Sequence, residues 1–293
     1  MTGATGLVGG AVLSRLASSN QAPTYCLVRP QRGRTLHQRL IERLGRLGPD
    51  ARIDERIIPI SGDVRYPALA LDDETVGLLR SDVETIVHCA ANTSFLASAD
   101  SWSTNTEGTR NLLRLASQMP KLRQFVFIGS AASSISCADV EIDEEAPTSE
   151  PTHFVEYTRT KQAAEDALLS QPSSYQKVII RPSYVIPDEL LTSATIRQAI
   201  WPLSIMARCG LLPIAPQARL DVIPLSVVAD YIARVVLTSP KRPLYYLSGG
   251  VGHSPMWRDV IGVVSRAIGR PSEVELIKPE DWPRRQLEVT PKL

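Results

Sequence analysis

Tyr157 and Lys161, in the run Tyr157-Thr158-Arg159-Thr160-Lys161, are the residue pair with the plainest chemical use in this sequence. Four residues apart, they fall on one face of a helix. An ammonium beside a phenol favours phenolate and lowers the hydroxyl's pKa toward working pH, which makes the tyrosine a usable general acid for a carbonyl oxygen. An ordinary exposed Tyr/Lys pair on an amphipathic helix is the plain alternative, and the pair alone does not separate the two. A second chemical feature opens the chain. Thr2-Gly3-Ala4-Thr5-Gly6-Leu7-Val8-Gly9 has the spacing T-G-x-x-G-x-x-G of a turn that approaches a pyrophosphate and then starts a helix. Glycines permit the tight turn, and the first N–H groups of the helix receive the anion. Glycine-rich turns are common. Taken together and in this order, the two features point to a nicotinamide-dependent oxidoreductase or a descendant of one.

The elements that must position these residues alternate between strand and helix patterns, which predicts an α/β fold with a parallel sheet covered on both faces. Residues 7–17 have helical spacing, 24–28 read as a strand, and 36–44 as a helix after a basic loop. Residues 57–60 form a short strand weakened by Pro59. Residues 85–89 and 125–128 read as buried strands, 104–117 and 154–169 as helices, and 178–180 as the strand that closes the series. Beyond Pro182 the regularity loosens, with prolines at 187, 202, 213, 216 and 224. The expected organisation is a dinucleotide-binding domain over 1–182 and a smaller substrate lobe over 183–293. Elements at about 222–250 return to the sheet.

A chain of 293 residues can bury a sizeable core as one large domain or a domain plus a lobe. Its net charge of +1 gives no reason to expect nucleic acid or a charged membrane surface as partner. No run of apolar residues is long enough to span a membrane; the best, 222–237, is broken by Pro224, Asp230 and Arg234. Cys26, Cys89, Cys137 and Cys209 have no metal-ligand spacing, so no metal is expected. Cys26 and Cys89 read as core thiols of a reducing compartment. With no basic-then-apolar leader at the N-terminus, the chain is expected to be soluble and cytoplasmic.

One expectation concerns the first strand. A phosphate-binding turn of this kind follows a buried central strand, and here only Met1 precedes Thr2. Strands lie about 4.8 Å apart, so omitting one leaves a slot of roughly 9.6 Å between its neighbours. Each backbone group left unpaired there costs about 1–3 kcal/mol. Three explanations stand open: Met1 is not the native start, the neighbours close up, or another segment fills the gap. The first is favoured.

Beyond the glycine turn and the Tyr/Lys pair, four stretches carry a family likeness. They are Cys26-Leu27-Val28-Arg29-Pro30 running on to Arg39-Leu40, Gly62-Asp63-Val64-Arg65-Tyr66-Pro67, His88-Cys89-Ala90-Ala91-Asn92, and Asn105-Thr106-Glu107-Gly108-Thr109. Over residues 2–185 the chain resembles the extended short-chain dehydrogenase/reductase superfamily. Within it, the chain is most similar to the thioester-reductase and fatty-acyl-CoA-reductase group with a male-sterility-type NAD-binding domain. The resemblance implies a doubly wound Rossmann-type sheet and places Gly3, Thr5, Gly6, Leu7, Val8 and Gly9 on the dinucleotide's phosphates. It puts Arg29, helped by Arg39, at the 2′-phosphate that distinguishes NADP from NAD, since no acid stands at that position to take ribose hydroxyls. It sets Asp63 and the Val64 backbone near the adenine, and Ala90, Ala91 and Asn92 along the cofactor. It also sets Pro182 near the nicotinamide end and Asn105 in support through its helix. Ser130, after Phe127-Ile128-Gly129, is the implied third catalytic residue with Tyr157 and Lys161, although the group commonly shows Ser-Thr where this chain has Gly129-Ser130. Ser133 and Ser134 are fallbacks, and His88 reads as structural. Arg208, His253 and Trp257 have no pattern to place them.

The expected activity is NADP-dependent reduction of an acyl thioester, on coenzyme A or a carrier protein, to an aldehyde or alcohol. Tyr157 would be the proton donor, Lys161 its tuner and ribose ligand, and Ser130 the group polarising the substrate oxygen. Two alternatives remain: a stand-alone ketone or secondary-alcohol oxidoreductase of the same superfamily, and a degenerate NADP-binding scaffold without turnover. Superfamily habit favours a homodimer.

Overall fold

The computed structural model describes residues 1–19, 22–45, 55–94, 99–134, 153, 155–187, 201–238, 240–269 and 274–285. Cys137 and Phe154 lie outside them. The chain divides into two compact units, the first Met1–Ser183 with Leu225–Leu247, the second Tyr184–Pro224 with Ser248–Leu293.

The first unit is a parallel sheet between helices. Its elements in chain order are α1 (Leu7–Ser19), β1 (Thr24–Val28), α2 (Leu36–Gly45), β2 (Ile57–Ser61), α3 (Asp73–Asp82) and β3 (Thr85–His88). Then come α4 (Gly108–Ala116), β4 (Gln124–Ile128), α5 (Glu156–Ser170) and β5 (Gln176–Pro182). Strand β4, Gln-Phe-Val-Phe-Ile, is buried along its whole length, as a central strand covered on both faces must be. Side chains on β1 alternate between two cores. Cys26 and Val28 pack with Leu13 of α1 and Leu40 and Leu44 of α2. Tyr25 and Leu27 face the other layer, where Phe125 and Phe127 meet Leu79 of α3, Leu112 and Leu113 of α4, and Ala164 and Leu168 of α5. Pro59, which lacks an N–H, is accommodated because β2 pairs only with β1 among the described residues and so forms an edge.

Met1 and Thr2 hold the central place between β1 and β3. Thr2 bridges Leu27 on one side and His88 on the other, both in parallel. The links are Thr2 N–H to Val87 O at 3.0 Å, Cys89 N–H to Thr2 O at 3.2 Å, and Leu27 N–H to Met1 O at 2.9 Å. The neighbours have not closed up, since β1 and β3 are not paired with each other. Met1 and Thr2 thus join β2-β1 to β3-β4-β5 and lead directly into the glycine turn. Cys89, read from the sequence as a strand residue, sits one position past β3.

After the second unit's first segment, described below, α6 (Leu225–Leu237) packs on α1, with Arg15 Nε 2.5 Å from Asp230. The later strand β9 (Leu244–Leu247) then pairs with β5 in the register Ile180↔Tyr245. The second unit has its own core of Leu203, Ala207, Leu212, Leu220, Ile261 and Val264. Two small parallel pairs support it: β6 (Tyr184–Ile186) with β8 (Val222–Pro224), and β7 (Leu211–Leu212) with β10 (Glu275–Leu276). Helix α7 (Trp257–Ala267) completes the unit. Among the described residues no helix is long and apolar enough to cross a membrane.

Candidate active site

Every strand of the main sheet runs the same way, so the segments leaving their carboxyl ends share one edge, where open α/β sheets place ligands. Three segments of the first unit meet the requirements for chemistry there: the glycine turn after Thr2, the loop after β4, and the first turns of α5.

The turn is closed by Gly6 N–H to Gly3 O at 2.8 Å, with Gly3 at φ 73°. Its glycines are steric necessities. A Cβ on Gly3 would stand 2.5 Å from Ala90 N, and one on Gly9 2.2 Å from Gly3 O. Gly6 itself is exposed, with Thr5, Leu7 and Val8 half-buried around it. Helix α1 begins at Leu7, so its first N–H groups have no carbonyl inside the helix and face the turn. This is a cradle that suits a pyrophosphate. A residue the sequence reading missed supports it: Arg43 of α2, only 5 % exposed, donates from Nε to Gly6 O at 2.8 Å.

Where the adenosine end would lie, Arg29 is exposed just beyond β1, and the Arg39 guanidinium donates to the Arg29 carbonyl. Burial first, then the charges of Arg29 and Arg34, lower the Arg39 pKa, with Glu42, itself paired with Arg34 at 2.5 Å, acting against them. Asp63 is engaged by Arg65, whose Nη2 lies 2.7 Å from Oδ2 and whose backbone N–H donates to Oδ1 at 3.0 Å. Burial works against the Asp63 charge, but the Arg65 hydrogen bonds outweigh it and hold the carboxyl below the usual range. The Val64 carbonyl accepts from Asn111 at 2.9 Å. Asn92 is tied at both backbone groups by Asn105, its N–H to Oδ1 at 2.7 Å and its O from Nδ2 at 3.0 Å.

At the other end, Tyr157, Lys161 and Ser130 come together. Ser130, 9 % exposed, is hydrogen-bonded through its side chain to Tyr157. Lys161, 3 % exposed, donates from Nζ to Ile128 O at 2.5 Å and lies 4.3 Å from the centre of the Phe127 ring. Burial pushes the Tyr157 hydroxyl up to about 12, the Ser130 bond opposing and the Glu165 charge reinforcing it. Burial also brings Lys161 down to about 8, while Glu165 and then Cys89 act to raise it. The spacing argument expected the ammonium to lower the phenol. The structure has the reverse direction because Lys161 is aimed at the Ile128 carbonyl and burial dominates. Pro182 ends β5 opposite Leu247. Ser133 spends its hydroxyl on Ser130 O at 2.6 Å, and Ser134 Oγ is buried with no partner among the described residues. Arg208 and His253 are exposed on the second unit, and Trp257 packs on that unit's core.

Behind these residues runs a buried polar chain. Thr109 gives its proton to Asn105 O at 2.6 Å, so it must accept from His88 Nε2 at 2.9 Å. His88 Nδ1 is then the acceptor of the Thr2 hydroxyl at 2.6 Å. Burial lowers the His88 pKa to about 3, and the ring is neutral. Asn105 continues to Thr160 Oγ1 at 2.9 Å, and Thr160 donates to the Tyr157 carbonyl at 2.9 Å. Asn105 lies in a π-helical stretch, Trp102–Glu107, which swings its side chain inward. His88 thus links the residue before the glycine turn to the helix bearing Tyr157.

A parallel doubly wound sheet with a glycine turn, a serine after the fourth strand of the series and a Tyr-x-x-x-Lys helix defines the extended short-chain dehydrogenase/reductase class. The chain belongs to the family described as Male sterility protein, which matches residues 1–232. Fatty acyl-CoA reductase 2 of Mus musculus is 30 % identical over 221 residues, covering 63 % of this chain and 42 % of that protein. Fatty acyl-CoA reductase 1 of Xenopus laevis is 28 % identical over 218 residues, with the same coverage. The chain thus spans well under half of these relatives. Among solved structures, the terminal R domain of the myxalamid PKS-NRPS pathway superposes with a TM-score of 0.74 at 20 % identity, over 96 % of this chain and 83 % of that one. The Bordetella bronchiseptica enzyme WbmH, in complex with NAD+, superposes with a TM-score of 0.62 at 19 % identity, over 94 % and 82 %. These likenesses establish the fold, and the family establishes a pyridine-nucleotide-binding domain.

Proposed function

We propose that this chain is an NADP-dependent reductase of acyl thioesters carried on coenzyme A or on a carrier protein. The observation that carries the reading is the contact of the Ser130 and Tyr157 side chains, with Lys161 one turn away, at the sheet edge that also bears the glycine turn. The relatives' printed names, fatty acyl-CoA reductases, support the thioester as substrate class.

Gly3, Thr5, Gly6, Leu7, Val8 and Gly9 would hold the pyrophosphate. Arg29 and Arg39 would hold a 2′-phosphate, whose negative charge would favour the two neighbouring guanidinium groups. Asp63, Val64, Ala90, Ala91, Asn92 and Pro182 would line the remainder. A bound NADPH supplies the hydride. Tyr157, kept protonated by burial, delivers its proton to the thioester oxygen as that carbon is reduced. Ser130 fixes the oxygen's position through the hydroxyl pair. Lys161 holds the end of β4 through the Ile128 carbonyl and would take the nicotinamide ribose of the bound cofactor. The hemithioacetal formed then splits into an aldehyde and a free thiol, and a second reduction would give the alcohol. The second unit serves as the substrate lobe.

The test is oxidation of NADPH by the purified chain with an acyl-CoA series and a panel of ketones. Turnover with thioesters supports the reading, turnover with ketones alone replaces it by ketone reduction, and cofactor binding without any turnover replaces it by a non-catalytic scaffold.

A further inference from the structure

Glu165 is wholly buried on α5, four residues after Lys161 and eight after Tyr157, on the same helix face. Its Oε2 takes both Arg181 Nε at 2.9 Å and Arg181 Nη2 at 2.5 Å. Arg181 in turn donates to the Tyr246 hydroxyl and lies over that ring at 5.3 Å. The other oxygen, Oε1, is buried with no hydrogen-bond partner among the described residues. It sits where a side chain on residue 129 would be, 2.4 Å from the place of a Cβ. The carboxylate is thus pinned from behind by β5 and β9, with its free oxygen against the Ile128–Gly129 peptide. Lys161 grips the same peptide through the Ile128 carbonyl. Ser130 is the next residue. A side chain at position 129 would displace this oxygen from its place.

We propose that Glu165 is a positioning residue for the reduction: its buried carboxylate keeps Lys161 charged and directed at the Ile128 carbonyl, and the two together fix the strand end that presents Ser130 to Tyr157. This rests on the reductase reading of Tyr157, Lys161 and Ser130. An isolated buried lysine tends to lose its proton, and an opposite charge one helical turn away is the ordinary remedy. Burial raises the Glu165 pKa, and the Arg181 hydrogen bonds and the Arg181 and Lys161 charges work against that rise in favour of the carboxylate. The other titratable groups acting on the pair are Tyr157 and Asp166 from α5, His88 and Cys89 from the end of β3, Arg181 from β5 and Tyr246 from β9. None besides Glu165 is a buried carboxylate.

The experiment titrates Lys161 in the full chain by NMR of 13Cε-labelled lysine, the resonance being identified by its absence in Lys161→Met. The wild-type midpoint should fall near 8. Glu165→Gln should lower it by about one pH unit, and Glu165→Asp should retain it. Because Glu165→Gln strands the Arg181 charge and can unfold the chain, Glu165→Gln/Arg181→Met is measured beside it and should keep the lowered midpoint. An unchanged midpoint in the folded variants, or a wild-type midpoint in the double variant, overturns the proposal. In turnover, the alkaline limb of the kcat profile should move with the midpoint, whereas a purely structural role would lower kcat without moving the limb. A wild-type chain that titrates as described but oxidises no NADPH counts against the reductase reading alone.

Discussion

Gly9→Ala is the sharpest perturbation of the cradle, because the new methyl carbon has nowhere to go. It would sit 2.2 Å from Gly3 O, 2.7 Å from Gly3 C and 3.2 Å from Cys89 Cβ, and the two nearest are backbone atoms. Bringing the oxygen contact back to 3.0 Å requires helix α1 or the turn to shift by about 0.8 Å. Overpacking of this kind costs about 1–3 kcal/mol in a packed region. At this chain length that is a melting-temperature loss of about 2–4 °C per kcal/mol. The same shift pulls the first N–H groups of α1 off the phosphate position, and each 1.4 kcal/mol of lost contact is about tenfold in affinity. The expected result is an NADPH Kd raised at least about tenfold, read by calorimetric titration, with a melting temperature a few degrees lower. Gly6→Ala, whose Cβ would stand 3.1 Å from Gly3 O, should do less. Gly10→Ala meets the Arg43 side chain at 2.9 Å and should loosen its bond to Gly6 O rather than break the turn. Wild-type affinity and melting in Gly9→Ala would refute the packing argument and, with it, the placing of the pyrophosphate.

Two further expectations concern charge. Arg29→Glu places an acid beside Arg34 and Arg39 and should move the NADPH/NADH preference toward NADH by tenfold or more, about 1.4 kcal/mol. An unchanged ratio of kcat/KM values removes Arg29 from the cofactor site. His88 is neutral in the fold down to about pH 3, while in the unfolded chain it titrates at its ordinary value near 6.5. Below about 6.5 the unfolded state binds a proton that the fold excludes, so stability falls with acidification at about 1.4 kcal/mol per pH unit from this residue. Denaturant melts of wild type and His88→Asn between pH 4 and 6.5 should differ by that slope, and parallel slopes would show that His88 is not excluded from protonation.

The parts legible in the sequence are those written in local pattern. The T-G-x-x-G-x-x-G spacing marked the turn because only glycines tolerate the approach of Gly3 to Ala90 and of Gly9 to Gly3. Helical spacing put Tyr157 and Lys161 on one face, and runs such as Phe125–Ile128 announced buried parallel strands. Spacing could not say where the lysine points, and the Ile128 carbonyl decides that from another element. Arg43 and Glu165 look like solvent-facing charges of amphipathic helices, and only the packing of α2 on the turn and of Arg181 behind α5 makes them interior. For the slot beside β1 the sequence left three explanations open, a native start other than Met1 being favoured, because a single residue ahead of the turn is no strand by pattern. Met1 lends its backbone to Tyr25 and Leu27 of β1, and Thr2 lends its own to Val87 and Cys89 on the β3 side, so the pair bridges the slot.

The central claim is that a protonated Tyr157 serves reduction of an acyl thioester at this edge of the sheet. Its most direct test is NADPH oxidation with a long-chain acyl-CoA by wild type and Tyr157→Phe, alongside NADPH affinity for both. Wild-type turnover that collapses by at least about a hundredfold in Tyr157→Phe, with NADPH binding nearly unchanged, is the predicted result. Full turnover in Tyr157→Phe would contradict it.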